Sequence, residues 1–228
     1  MTIIPGLTTT KPERVPAFID DLKRLELRTI ALFPTCFDAA ARAALYRELE
    51  TIPDLSIPHV HVRADCDEAE LEYLAARFKT EAFNIHPRTS SHPFGTAPEI
   101  FRKRLFVENV DVPPDEDELE ALGGLCPDFS HLENAKLLGR DAYVAAMKRF
   151  LGSYPVGCCH LSAIRVGFPN VWSGEWDHHE YESLRDLSYL AAYRAYLPVA
   201  WASLELENTL DQQLQAIAYL TGLFQGAC

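Results

Sequence analysis

The sequence predicts an α/β protein, a single (β/α)8 TIM barrel spanning residues 1–228. Three observations predict it. Short apolar runs alternate with helical patterns along the chain, and alternating strand–helix units imply parallel strands, because each strand must be brought back by a crossover. The alternation counts to eight. The length of 228 residues suits one α/β barrel, which commonly takes about 200–250 residues in one domain. A doubly wound open sheet is the rival and usually has fewer strands.

The elements follow in order. Thr2–Leu7 reads as a strand, and Pro12–Glu26 as a helix with Val15, Phe18, Ile19, Leu22 and Leu25 on one face. Arg28–Pro34 is a second strand. Asp38 N-caps a helix over Ala39–Ile52, whose apolar face carries Leu45 and Leu49. Ser56–Arg63 is a third strand, and Asp67 caps a helix burying Leu71, Leu74, Ala75 and Phe78. Ala82–His86 is a short strand, followed by a long polar loop and a helical stretch near Pro98–Lys103. Arg104–Val110 is a strand and Asp115–Leu122 a short helix, its acidic first turn suiting the helix dipole. Leu125–Phe129 is strand-like, Asp141–Leu151 helical, and Val156–Val166 contains a strand. Tyr181–Tyr196 is a helix, Val199–Glu207 a strand, and Leu210–Phe224 the closing helix.

Composition excludes several function classes. With 21 Lys+Arg against 33 Asp+Glu the net charge is −12, which argues against a nucleic-acid partner, since phosphate backbones need clustered basic residues. No apolar run approaches the ~20 residues needed to span a bilayer, so no membrane partner is expected. Met1–Gly6 lacks a basic stretch leading into a long apolar run, so no secretory signal is expected. The six cysteines include no CxxC pair, which removes thiolate zinc fingers and thioredoxin-type chemistry. A reducing cytoplasm is the expected location. No GxGxxG or GxxxxGK[ST] loop follows a strand, so nucleotide cradling has no support. A small-molecule substrate is the expected partner, and a homo-oligomer is compatible with the composition.

A barrel of this kind places its chemistry at the C-terminal ends of the strands. The third strand ends in Pro58-His59-Val60-His61-Val62-Arg63 and the fourth in Asn84-Ile85-His86-Pro87-Arg88. The fifth ends in Phe106-Val107-Glu108-Asn109 and the sixth in Asp128-Phe129-Ser130-His131. The seventh carries His160 and then Arg165, the following loop holds Asp177-His178-His179, and the eighth ends in Ser203-Leu204-Glu205-Leu206-Glu207. Every histidine falls at a strand end or in a following loop, and none on an expected helix before Tyr181. A carboxylate inside a barrel mouth is expensive unless paired, hydrogen-bonded or bound to a cation. One buried histidine is ordinarily a satisfied core residue. Histidines and carboxylates on successive strands at the same end point instead to a shared cation such as Zn, Mn, Fe or Co.

These residues resemble the xylose isomerase-like TIM barrels, which include sugar isomerases and epimerases and the endonuclease IV type of apurinic endonuclease. The resemblance covers nearly the whole chain. Its most specific parts are the Glu of Val107-Glu108-Asn109, the Asp-x-x-His of Asp128–His131, the His of Cys158-Cys159-His160 and the Glu of Leu204-Glu205-Leu206. It implies that Glu108, Asp128, His160 and Glu205 bind metal. It further implies, from the endonuclease branch, ligand roles for His61 (or His59), His86, His131, Asp177 and His179, with one to three divalent ions (Zn, Mn or Fe) per chain. The chain departs from that branch in its shorter length, its acidity and its lack of a basic insertion to grip a duplex.

The expected activity is a divalent-metal-dependent isomerase or epimerase acting on a small hydroxy-carbonyl or anionic sugar-like substrate, with Glu108 and Glu205 exchanging protons at carbon. Two alternatives remain: a multinuclear phosphoester hydrolase of the endonuclease IV type, and a catalytically silent barrel that kept a metal for stability. Arg63, Arg88 and Arg165 stand just past strand ends, where an Arg fork suits phosphate or carboxylate, although each could instead pair with a neighbouring acid. Trp172 and Trp176 are candidates for stacking on a sugar ring, or for simple packing. The loop Thr89–Gly95 is a candidate lid.

Overall fold

The computed structural model of the chain describes residues 1–95, 97–171 and 173–226. It is a mixed α/β structure with parallel sheets. The first expected strand enters in two parts, β1 (Thr2–Ile4) and β2 (Gly6–Thr8), split at Pro5. Proline has no N–H for a ladder, but the Pro5 carbonyl still accepts from Ala31 N at 2.8 Å. The split lets one segment serve two neighbours.

The remaining strands are β3 (Thr29–Phe33), β4 (Ser56–His61), β5 (Ala82–Ile85), β6 (Leu105–Glu108), β7 (Leu125–Cys126), β8 (Cys158–Leu161), β9 (Ala163–Ile164), β10 (Asp177–His178) and β11 (Trp201–Leu204). Strands β2 to β7 pair in chain order as one parallel sheet, and β1, β11 and β8 form a second, also parallel. The sheets adjoin twice: through the β1–β2 segment, and through parallel bridges Leu125 to Val156 and Asp128 to His160. Parallel pairing aligns the strands' C-terminal ends, which is what collects residues distant in sequence.

The helices are α1 (Val15–Arg24), α2 (Ala39–Leu49), α3 (Glu68–Phe78), α4 (Glu116–Ala121), α5 (Phe129–Leu137), α6 (Asp141–Ser153) and α7 (Leu210–Gln225). Three 3-10 segments accompany them, at Pro12–Arg14, Glu99–Arg104 and Leu184–Tyr196. The expected caps form, with Asp38 accepting from Ala41 N at 2.8 Å and Asp67 from Glu70 N at 2.9 Å. Helix α1 buries Val15, Ile19 and Leu22, a spacing of four and three that makes one apolar stripe. No described helix is long and apolar enough to cross a membrane.

Three expectations need correction. Helix α5 is unexpected, because Phe129–Leu137 mixes polar and apolar residues without a clear stripe. His131, expected at the end of the sixth strand, instead sits in the first turn of that helix. The stretch expected as the helix Tyr181–Tyr196 is a 3-10 segment starting at Leu184. The long loop after β8 carries an antiparallel hairpin, with Asp177 opposite Ile164 and His178 opposite Ala163.

Gly6 sits where the segments meet. A Cβ there would run into the Leu204 carbonyl and the Phe33 ring. Gly6 N also donates to Gln213 Oε1 at 2.8 Å, and Gln213 Nε2 returns a bond to the Gly6 carbonyl at 3.0 Å. Gly6→Ala is expected to lower stability by about 3 kcal/mol, the upper range for overpacking a close contact. The urea midpoint of the purified variant checks this.

Candidate metal centre

The centre is built around His160, on β8 and completely buried. Its Nδ1 lies 3.1 Å from Glu205 Oε2, 3.4 Å from Glu108 Oε1 and 3.9 Å from Asp128 Oδ2. Glu108 is the last residue of β6. Asp128 follows β7, and Glu205 follows β11 directly. One donor atom from each of these four residues lies within 4.8 Å of the others. A second group shares Glu108: His61, the last residue of β4, and His86, just past β5, bring their nitrogens within the same 4.8 Å limit. His61 Nε2 stands 2.9 Å from Glu108 Oε2, and the His61 and His86 rings meet edge to face at 4.8 Å.

Asp128 shows how local folding prepares a donor. Its Oδ1 caps α5, accepting from Ser130 N at 2.6 Å, Ser130 Oγ at 2.6 Å and His131 N at 3.3 Å. Its Oδ2 is buried without a hydrogen-bond partner. The main chain at Asp128 is clamped by Asn109, whose Oδ1 accepts from Asp128 N and whose Nδ2 donates to the Asp128 carbonyl, both at 2.9 Å. Glu108 is steered by a chain of polar side chains. Asn84 Nδ2 donates to Glu108 Oε2 at 2.6 Å, Asn84 Oδ1 meets His59 Nε2 at 2.9 Å, and His59 Nδ1 meets Ser203 Oγ at 2.7 Å. An acceptor at Asn84 fixes the His59 proton on Nε2, leaving Nδ1 to accept from the hydroxyl.

The charge balance is lopsided. Glu108, Asp128 and Glu205 are buried, and among the described residues their ion-pair partners are histidines alone. Burial opposes protonation of His160, yet the Glu108 and Glu205 carboxylates hold its pKa well above the ordinary imidazole value. Burial would raise Glu108, but His160 and His61 pull it well below the usual carboxylate range. Glu205 goes the same way, to about 2, with burial overcome by His179 and His160. Asp128 is pushed up, chiefly by burial. His86 drops to about 4 through burial and its neighbour His61.

The hairpin loop adds the rest. His131 Nδ1 lies 3.2 Å from Asp177 Oδ2, and its Nε2 is 3.9 Å from Asp128 Oδ2. His179 Nδ1 is 3.8 Å from Glu205 Oε1. Burial opposes a charge on His131, but Asp128 and Asp177 raise its pKa to about 10. Asp177 is lowered because His131 outweighs its burial. The structure thus brings together the histidines and carboxylates expected as metal ligands, with Asp177 and His179 at the edge, whereas His178 bonds the Phe168 carbonyl and Glu207 pairs with Lys11. Beside them opens a cleft of about 830 Å³, lined by Lys11, Arg165, Phe168, Asp177, His179 and Glu207 among others.

The residues fit a divalent ion on grounds internal to the site. His160 Nδ1 faces oxygens at close range yet makes no hydrogen bond, and His160 Nε2, His61 Nδ1 and Asp128 Oδ2 are also buried and unpartnered. Imidazoles and carboxylates together suit Zn, Mn or Fe. These buried groups could hold a metal ion.

The arginines are engaged elsewhere. Arg63 Nε pairs with Asp65 at 2.9 Å and its Nη1 donates to the Thr35 carbonyl. Arg88 Nε pairs with Asp115 at 2.8 Å, and Arg165 pairs with Glu182 while lying over the Phe168 ring. Of the three, Arg165 alone lines the cleft. Trp176 is half-buried, its backbone N–H donating to Asn134 Oδ1 at 3.0 Å. Trp172 lies outside the described residues. The roles of Asn84, Asn109 and Ser203 were not among the expectations; their signal in the sequence is an amide or hydroxyl inside or just past an otherwise apolar strand.

Comparison with protein-family models gave no match, and comparison with curated proteins gave none.

Two outcomes follow from this geometry. Asn84→Leu removes the donor that orients Glu108 and is expected to weaken Mn2+ or Zn2+ binding by about 10–100-fold, read by calorimetric titration. In the metal-free protein, the raised His131 pKa adds stability that is complete below pH ~6.5 and fades as pH rises toward about 10. His131→Gln should flatten that slope in urea unfolding measured across the interval.

Proposed function

We propose that the chain is a divalent-metal-dependent isomerase or epimerase acting on a small hydroxy-carbonyl, sugar-like substrate. In this reading the two adjoining sheets are parts of one closed (β/α)8 barrel of the xylose isomerase-like kind. The observation that carries it is the convergence of Glu108, Asp128, His160 and Glu205 at aligned strand ends, with buried donor atoms that no protein group satisfies.

Those four residues would hold the ion, with His61 and His86 as donors toward a second. Bound there, a divalent ion supplies Lewis-acid polarisation of a carbonyl and its neighbouring hydroxyl. The chain's own groups do the rest. Glu108 and Glu205 are held ionised by their histidine partners, the state required of a group that takes a proton from carbon. Asn84 fixes the direction of one Glu108 oxygen. The cleft beside His179 admits the substrate, and Lys11 Nζ, 2.6 Å from Glu207 and 2.8 Å from Glu180, offers a cation already balanced by acids. Arg165 is likewise balanced by Glu182, which favours a neutral sugar-like substrate over a strongly anionic one.

A second reading is a multinuclear phosphoester hydrolase. The sharing of Glu108 between the two donor groups favours it, because adjacent ions can clamp both oxygens of a displacement.

Solvent deuterium should enter a sugar or sugar-acid substrate when Mn2+, Zn2+ or Fe2+ is supplied, followed by NMR across a substrate panel. Glu108→Gln and Glu205→Gln should each lower kcat by about 10²-fold or more, the usual worth of a positioned acid or base. Phosphoester cleavage without any exchange, together with two or three bound ions by elemental analysis, would establish the hydrolase instead.

A further inference from the structure

We propose that the cleft beside the metal centre is a glycosyl subsite, with Phe168 as the platform on which a sugar ring stacks. The substrate is then a hydroxy-carbonyl compound that carries a further pyranosyl ring, as a keto-disaccharide does. This deepens the isomerase reading and rests on it for the reacting half of the substrate. The cleft of about 830 Å³ is lined by Asp177 and His179, but by none of Glu108, Asp128, His160 and Glu205. Its volume therefore lies outside the point where carbon would react, and is room for a part of the substrate that does not react. Clefts of about 300–1,000 Å³ take ligands of drug size, and a disaccharide is of that size.

Phe168 is presented to the cleft rather than packed away. It is 62% exposed, and the Arg165 guanidinium lies over its ring, 5.4 Å from the centroid. Its position is fixed by backbone bonds. Phe168 N donates to the Arg165 carbonyl at 3.1 Å, and Arg165 N to the Trp176 carbonyl at 2.8 Å. His178 Nε2 donates to the Phe168 carbonyl at 2.6 Å, and the next residue, His179, stands 3.8 Å from Glu205. Two consecutive residues thus tie the aromatic platform to the metal centre. Trp176 does not line the cleft; among the described residues the aromatic ring that does is Phe168.

The lining is of two kinds. Phe168 is continued by Pro169 and by Val171, which is 90% exposed, and adjoining exposed apolar side chains mark a binding surface. The remainder includes Lys11, bonded to Glu180 and Glu207, where acids accept and the ammonium donates. Because these charges already balance, they ask no net charge of a ligand. A pyranosyl ring matches both kinds of lining. Its C–H face suits the negative face of an aromatic ring, and its hydroxyl rim suits the Lys11 cluster. An apolar chain would leave the Lys11 cluster unmatched, and a phosphate would leave Phe168 unmatched.

Binding to the full chain supplied with Zn2+ tests the subsite without requiring turnover. The probes are lactulose, maltulose and isomaltulose, each a pyranosyl-fructose, set against fructose itself. At least one of the three should bind more tightly than fructose by calorimetry, and saturation-transfer NMR should show its pyranosyl C–H protons in contact with the protein. Phe168→Ala should weaken that disaccharide by about 5–10-fold, the worth of one aromatic stacking contact, and abolish the transfer to the pyranosyl ring. Phe168→Trp should restore both. Ile100→Ser, which alters an exposed apolar side chain away from the cleft, should bind as the native chain does. If no disaccharide binds more tightly than fructose, or if Phe168→Ala binds it as well as the native chain, the glycosyl subsite is overturned, even where deuterium enters fructose. Pyranosyl contact that is lost in Phe168→Ala upholds the subsite, and absence of deuterium exchange in that same disaccharide then counts against the isomerase reading alone.

Discussion

The rest of the site depends on one constraint, the burial of negative charge around a single imidazole. Glu108, Asp128 and Glu205 are removed from water, and no lysine or arginine is paired with them among the described residues. Uncompensated buried carboxylates are costly. Without a metal, protonated histidines must supply the balancing charge, which is why His160 and His131 are driven to hold protons while Glu108 and Glu205 are driven to lose them. A dication at the same point would take over that role and free the imidazoles to act as neutral donors. The surrounding amides and hydroxyls make sense only against this demand. Asn84, His59 and Ser203 keep Glu108 in place, and Asn109 pins the turn that presents Asp128.

Strand geometry converts this constraint into an address. Parallel pairing in chain order puts β4, β5 and β6 side by side, and the bridge from Asp128 to His160 continues the alignment to β8. Alternation then selects one residue in two for the interior. On β4 the pair His59 and His61 face the same way, but with different tasks. His61 stands against Glu108, and His59 is locked in a hydrogen-bonded chain one layer away. On β7 and β8 the same rule stacks thiols beneath acid and imidazole. The interior is thus polar over more than one layer, whereas the outward faces of the strands join the large apolar core beneath the helices.

Much of this was legible residue by residue. Short apolar runs ending in histidine or carboxylate, and Asp38 and Asp67 standing before helical stretches, mark strands, ends and caps without any knowledge of the fold. Less legible were features whose cause lies in partners remote in sequence. Helix α5 has no pronounced apolar stripe; Asp128 caps it and burial on several sides holds it, so His131 was expected at a strand end. The hairpin of β9 and β10 consists of two-residue strands, and its anchor is the clasp of Glu175 with Asn134 and Arg140. The rim arginines showed the converse limit. Their position past strand ends was readable, but their partners Asp65, Asp115 and Glu182 were not.

By itself the sequence determined the α/β alternation, the order of most of the elements and the short roll of histidines and acids at strand ends, because those depend on local periodicity and residue chemistry. The tertiary structure alone decided which of those side chains share a point in space. It also decided which buried nitrogens and oxygens go without a partner, and which arginines are already neutralised. The physical reason is that charge balance and hydrogen-bond satisfaction are properties of neighbourhoods, and in a parallel sheet the neighbours of a strand-end residue come from other strands, tens of residues away along the chain.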